Sequence, residues 1–331
     1  MSFDIITMGP LVVEIIGKYL NRPFHEPSEF QGPYPSGDTP IFINAAAKLG
    51  MKTGLIGSVG DDGFGQCVEN RLRENGVDLT YLQKFPDSYT GSTFVTYYED
   101  GSRKFLYHLT GSGSAAFTPD KFDKEYFKGA KWVHYTGFSM EAAPGYREAA
   151  YRSLEMLDQG TKVSFDPNIR PEIYTPQEIR KMCEPILERA DLILPSGAEA
   201  ILFTGASTEE EGIRLLSEGG KKIVVQKRGA EGSRFYKGDE IIDVPAFISE
   251  EVDPTGAGDT FAAALLTGLA EGKSIYDAGI FANAAQIDGL LCQLGIGLLG
   301  LCEILHILQD YLHMDPCCVP QHQSDVSPYR Y

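Results

Sequence analysis

Positive charge is what this sequence has least of: 29 Lys and Arg stand against 46 Asp and Glu in 331 residues, a net charge of −17. Nucleic-acid affinity rests on Lys/Arg clusters that displace counterions from phosphates, so no nucleic-acid partner is expected. Cysteine is sparse too. The six cysteines are unevenly placed: Cys67 and Cys183 fall in helical patterns, and Cys292, Cys302, Cys317 and Cys318 crowd toward the end. They form no disulfide framework, and no Cys-x-x-Cys spacing offers a structural zinc site. The first residues, Met1 to Ile6, lack a basic region followed by an apolar one, so no signal peptide is expected. The apolar run Ile287 to Leu308 is interrupted by Asp288, Gln293, Glu303 and His306, which argues against a membrane span. A reduced, cytoplasmic protein is the expectation.

What is present is the composition of a globular protein, 43% hydrophobic and 23% charged, which excludes disorder as the dominant state. The length suits two domains of roughly 150 residues or one large α/β domain with an insertion. In so acidic a chain, an anionic ligand must find positive potential locally, from backbone N–H groups, a metal ion or a few placed basic residues.

Short β runs at Asp4–Met8 and Leu11–Ile16 precede a Pro/Gly/Ser-rich stretch from Pro23 to Pro40, read as loop. An Ala-rich helix is expected over Ile41–Leu49, a strand over Thr53–Val59 and a helix over Asp61–Asn75. Two alternating runs, Ser92–Tyr98 and Lys104–Leu109, flank Asp100-Gly101, which signals a hairpin. From Trp132 onward strands and helices alternate: Val133–Tyr135, Tyr146–Leu157, Lys162–Phe165, Gln177–Ala190, Leu192–Leu194, Ala198–Phe203, Glu209–Ser217 and Lys222–Gln226. That alternation implies an α/β fold with a mostly parallel sheet covered on both faces. The early hairpin does not fit it and is read as a small β lid over the cleft at the strand ends. A plain β flap or a dimerisation surface is the alternative.

The strongest chemical signal is Asp253-Pro254-Thr255-Gly256-Ala257-Gly258-Asp259-Thr260, followed by the apolar run Phe261 to Leu269. Small residues opening a buried helix leave backbone N–H groups unpaired at the positive end of its dipole, an anion hole for a phosphoryl group. A carboxylate there, Asp259, is suited to take a proton from an attacking hydroxyl. An ordinary Asp at a helix start is the alternative. Asp166 and Asn168 end a strand, where polar side chains can enter the cleft. Arg170 can pair bidentately with a phosphate or carboxylate, or form a surface ion pair.

The string Asp253 to Phe261 resembles the C-terminal signature of the ribokinase-like (PfkB) carbohydrate kinases. Other segments similar to that family follow in order: Pro35-Ser36-Gly37-Asp38, Val59 to Gly65, and Phe165 to Pro171. The resemblance covers residues 1 to about 285 and is nearest to the 2-keto-3-deoxygluconate kinase and fructokinase types. It implies a ribokinase-like fold with one kinase domain over 1–331, lid segments near 11–35 and 90–113, and an atypical segment over 286–331. It implies transfer of phosphate from ATP, with Mg²⁺, to a hydroxyl of a sugar or sugar acid.

Within that resemblance Asp259 is the base and the N–H groups of Gly256, Ala257 and Gly258 the anion hole, with Arg170 assisting. Glu14, Gly37, Asp38, Tyr107, Asp166 and Asn168 are expected on the substrate side, where carboxylates hold vicinal hydroxyls. Ser196, Lys227, Gly229, Gly232 and Asn283 are expected on the nucleotide side, and Glu199, Asp253 and Thr255 near Mg²⁺. Departures are Pro10 in place of Glu, Ile41 in place of a polyol-binding Asn, and Ser196 in place of Asn. Aromatic residues of the hairpin, Tyr107 among them, either stack on a sugar or pack the lid. Ser114-Ala115-Ala116 is similar to a loop of the 2-keto-3-deoxygluconate kinases.

After Ala285 the resemblance stops. The family's monovalent-cation turn, a K⁺ site, has no counterpart in the Leu-, Cys- and His-rich sequence that follows, which reads either as divergence or as a shifted frame. A homodimer through the lid is expected. The alternatives in function are a nucleoside kinase and a catalytically weak sugar-binding or regulatory homologue.

Overall fold

Two β-sheets of different character organise the chain. The computed structural model describes residues 2–169, 174–247 and 256–285. Arg170, Asp253, Thr255, the K⁺ turn and the atypical segment 286–331 lie outside the described residues.

The chain opens with β1 (Ile5–Pro10), buried along its whole length, and turns directly into β2 (Val12–Gly17). The Pro/Gly-rich stretch is not all loop: Phe30–Ser36 forms β3, pairing antiparallel with β2. Its exposed outer edge tolerates the prolines, which have no N–H to give to a ladder. The next helix, α1 (Asp38–Lys48), starts three residues before the expected Ile41, because Gly37 at φ 102° turns the chain sharply and Asp38 accepts the Thr39 N–H at 2.7 Å. After β4 (Thr53–Gly60), Asp62 caps α2 (Gly63–Glu74) by accepting the Gly65 N–H at 2.8 Å. β5 (Asp78–Phe85), with no clean alternation in sequence, follows, and then the expected hairpin, β6 (Gly91–Tyr97) and β7 (Arg103–His108).

Short α3 (Lys124–Phe127) precedes the βαβ run. That run is β8 (Trp132–Thr136), α4 (Gly137–Ala142), α5 (Pro144–Met156), β9 (Lys162–Asp166) and α6 (Pro176–Arg189), the last opened by a Thr175/Glu178 capping box. β10 (Leu192–Ile193), α7 (Glu199–Thr204), α8 (Glu209–Leu216) and β11 (Ile223–Lys227) continue it. A second hairpin, β12 (Ser233–Lys237) and β13 (Glu240–Val244), then leads toward α9 (Ala257–Ala270) and α10 (Ile275–Ala285).

The larger sheet has the order β13-β12-β11-β10-β9-β8-β1-β4-β5, parallel from β11 to β5 and antiparallel only at the β12–β13 end. Successive residues of its central strands serve opposite faces. Ile5 and Leu55 join a core with α1, α9 and α10, whereas Ile6, Met8 and Ile56 join a core with α5 and α6. α9 is apolar nearly all round because it is buried by both α1 and α10. The smaller sheet, β3-β2-β6-β7, stands apart as the lid.

Candidate active site

The strand ends and the lid enclose a cleft of about 280 Å³. It lies over the carboxyl ends of the parallel strands, where open α/β sheets present their loops: Asp166 is the last residue of β9 and Lys227 the last of β11. Four other pieces of chain converge on it: the first turn of α1, the start of α7, the first turn of α9, and β2, β6 and β7 of the lid.

The lid contribution follows from register. Thr93 pairs with Tyr107 and Val95 with Phe105, so alternate residues of β7 share a face, and Arg103, Phe105 and Tyr107 line the cleft together. Phe105 and Tyr107 stack with ring centroids 5.6 Å apart, and the Arg103 guanidinium lies 5.3 Å from the Phe105 ring centre. Tyr107 therefore both packs the lid and faces the cleft. Glu14 reaches the same cavity from β2 and is almost wholly buried.

On the floor, the buried Asp38 accepts from Thr39 N–H with one oxygen and from Asn168 Nδ2 at 3.2 Å with the other. Asn168 adopts φ 37°, a left-handed conformation that Asn tolerates, so its amide is held against Asp38. Asp166 accepts a hydrogen bond from Lys227 Nζ at 2.8 Å. Glu199 takes the Ile169 N–H at 3.2 Å on one oxygen and the Ser196 N–H at 2.7 Å on the other. Burial, helped by the nearby charge of Asp166, pushes the Glu199 carboxyl up to about 7 despite those two N–H donors. Burial pulls the Lys227 ammonium the other way from its neighbours, but the charges of Asp166, Glu199 and Asp259 outweigh it and hold its pKa above the ordinary lysine value.

α9 begins at the expected glycine turn. Gly256 stands at φ 76°, a left-handed conformation that costs an L residue about 1–2 kcal/mol, and no side chain caps the helix. Gly256, Gly258 and Asp259 all line the cleft. A Cβ added at Gly258 would stand 3.5 Å from Lys227 Nζ, so the ammonium lies beside this first turn.

The structure thus brings Glu14, Gly37, Asp38, Tyr107, Asp166, Asn168, Ser196, Glu199, Lys227, Gly256, Gly258 and Asp259 to one cavity. Ile41, where the family resemblance leads one to expect a polar residue, lines it as well. Other expected residues sit elsewhere. Asn283 is buried and donates Nδ2 to the carbonyl oxygens of Val244 and Pro245, at 3.2 and 2.9 Å, pinning α10 to the end of β13. Gly229 and Gly232 form the turn after β11, and a Cβ at Gly232 would collide with Val244 O at 2.2 Å. Arg103, Phe105, Thr93 and Phe138 line the cleft without having been singled out; the alternation of the hairpin was the signal for the first three.

Residues 34–286 match the family described as pfkB family carbohydrate kinase. The chain is 30% identical over 290 residues to fructokinase-1 of Zea mays, covering 85% of this chain and 89% of that one. It is 29% identical over 292 residues to a 5-dehydro-2-deoxygluconokinase of Clostridium perfringens, covering 86% of each. It superposes on the crystal structure of a proposed ribokinase II from E. coli in complex with ATP and Mg²⁺, with a TM-score of 0.85 and 34% identity, covering 93% of this chain and 99% of that one. By its matched length, its paired sheets and this cleft, the chain belongs to the pfkB family of carbohydrate kinases.

Proposed function

We propose that the protein transfers the γ-phosphoryl group of ATP to a hydroxyl of a ketose or sugar acid. The observation that carries this reading is one cavity shared by two chemistries: the uncapped first turn of α9 with Asp259, and the polar floor and lid formed by Asp38, Asn168 and Glu14. Asp259 takes the proton from the acceptor hydroxyl as the new O–P bond forms, and the N–H groups of Gly256, Ala257 and Gly258 take up the negative charge on the transferring group. Asp38, with Asn168 bonded to it, and Glu14 accept hydrogen bonds from the sugar hydroxyls and fix which of them reaches Asp259. Arg103 on the lid and Arg170, which lies outside the described residues, offer planar cations to an acidic acceptor or to phosphate.

The site suits Mg²⁺ held through water. Both Glu199 oxygens already accept a backbone N–H, which leaves each a further lone pair for a water rather than an open position for direct ligation. Glu199, with Asp253 and Thr255, would hold the ion, which when bound neutralises phosphate charge. Among the described residues no helix is long and apolar enough to cross a membrane. On the lid's outer face Phe30 meets Phe94, and Leu106 pairs beside it. That apolar face supports pairing of two copies, a question that light scattering answers.

ADP release measured over a panel of ketoses, aldoses, sugar acids and nucleosides tests the reading. Turnover with a ketose or sugar acid supports it. Turnover with nucleosides alone makes the protein a nucleoside kinase, and a sugar-dependent thermal shift without ADP makes it a binding protein.

A further inference from the structure

Lys227 stands where helix electrostatics alone would not put a cation. Its side chain is only 17% exposed, its Nζ donates to Asp166 Oδ2 at 2.8 Å, and it lies against the first turn of α9 at Gly258. A helix N-terminus is the positive end of the dipole, so a lysine gains nothing from it. What holds the ammonium is carboxylate charge arriving from three separate elements: Asp166 at the end of β9, Glu199 on α7, and Asp259 in α9. The other charged groups lining the cleft among the described residues are Asp38 on α1 and, from the lid, Glu14 and Arg103. Carboxylates dominate this space.

An interaction between two charges belongs to both. If Asp259 steadies the Lys227 ammonium, the ammonium equally steadies the Asp259 carboxylate. Take the cation away, and Asp259 shares a small cleft with Asp166, Glu199 and Asp38 with much less to offset their repulsion, which favours its protonated form.

We propose that Lys227 is a positioning residue of the phosphoryl-transfer site, tethered by Asp166 against the first turn of α9 so that Asp259 stays ionised at neutral pH. This rests on the reading of Asp259 as the base. It gives the 61-residue separation between Asp166 and Lys227 a purpose: the ion pair fastens the end of β11 to the end of β9 and sets one positive charge beside the catalytic turn.

The test is the pH dependence of kcat/KM for the acceptor, from pH 5 to pH 9, in the wild type, Lys227→Met and Lys227→Arg. The acid limb of Lys227→Met is expected to move toward alkaline pH by about 1 unit or more. Its deficit against the wild type is then about tenfold or more greater at the acid end of the range than at the alkaline end. Lys227→Arg keeps the charge and keeps the limb near its wild-type place. A folded Lys227→Met with the same deficit at every pH overturns the proposal and leaves Lys227 a packing or nucleotide-binding residue. If the methionine variant does not fold, Lys227→Gln, which can still donate to Asp166, is read by the same two results. Asp259→Asn separates the two claims. Retained turnover in that variant removes the base and this proposal together, whereas lost turnover with an unmoved limb in Lys227→Met removes this proposal alone.

Discussion

Gly137 offers a sharp test of whether the end of β9 is built to serve the cleft. It opens α4 packed on the loop after β9, and a Cβ there would stand 1.9 Å from Pro167 O and 3.2 Å from Ile169 Cγ2. Carbon and oxygen in favourable contact stay about 3.3–3.6 Å apart, so Gly137→Ala must displace Pro167 by more than about 1 Å. The obstacle is backbone, and no rotamer relieves it. Overpacking of this kind costs about 1–3 kcal/mol of stability.

The displaced loop carries two contacts of the site: Asn168 Nδ2 to Asp38 and Ile169 N–H to Glu199 Oε1, both 3.2 Å. A misplacement of about 1 Å in a positioning group lowers turnover by about 10²-fold, so kcat/KM should fall by that order. Gly145→Ala supplies the control. Its Cβ would meet Phe117 O at the same 1.9 Å, yet neither Gly145 nor Phe117 lines the cleft. Both variants should lose about 1–3 kcal/mol in urea unfolding, while only Gly137→Ala loses about two orders in kcat/KM. Wild-type kcat/KM in Gly137→Ala, or an equal loss in both variants, refutes the reasoning.

Further outcomes follow from the same contacts. Glu14→Gln, on the buried cleft face of β2, should raise the acceptor KM by about tenfold, the worth of one charge-assisted hydrogen bond, and leave the ATP KM within about twofold; steady-state kinetics with each substrate varied checks this. His134 is wholly buried, stacks on Phe42 at 3.9 Å and bonds Ser164 Oγ through Nδ1 at 2.9 Å, and burial pulls its pKa down to about 3. Its folded pKa lies below the unfolded one, so its contribution is present above pH 6.5 and lost as pH falls. Between pH 6.5 and pH 5 it should remove about 2 kcal/mol, a slope that urea titrations should find reduced in His134→Gln.

How much of this was legible in the sequence depended on whether the signal was local. The alternation from Trp132 onward and the string Asp253 to Phe261 are local patterns, and the parallel sheet and α9 follow from them. β3 was hidden because prolines normally argue against strands, and only its edge position beside β2 makes Pro33 and Pro35 acceptable. α1 was read as starting at Ile41 because the apolar spacing begins there, whereas the helix starts where Gly37 turns the chain. The β12–β13 hairpin carries no turn signal as strong as Asp100-Gly101.

The cleft divides in the same way. Residues inside motifs could be named from sequence, but the Lys227–Asp166 and Asn168–Asp38 pairs join residues 61 and 130 positions apart. The inward aim of Arg103 and Phe105 depends on a hairpin register that composition does not reveal. Asn283 shows the opposite error: a polar residue beside a motif invites a ligand role, while its amide is occupied by two backbone carbonyls of its own fold.

The most direct measurement is single-turnover phosphoryl transfer in wild type and Asp259→Asn, with an acceptor drawn from the sugar panel and its binding measured separately by calorimetry. The account predicts that Asp259→Asn binds ATP and acceptor with near wild-type affinity while transfer slows by about 10²–10⁴-fold, the worth of a general base. Transfer within a few-fold of wild type, with both substrates bound, would contradict it.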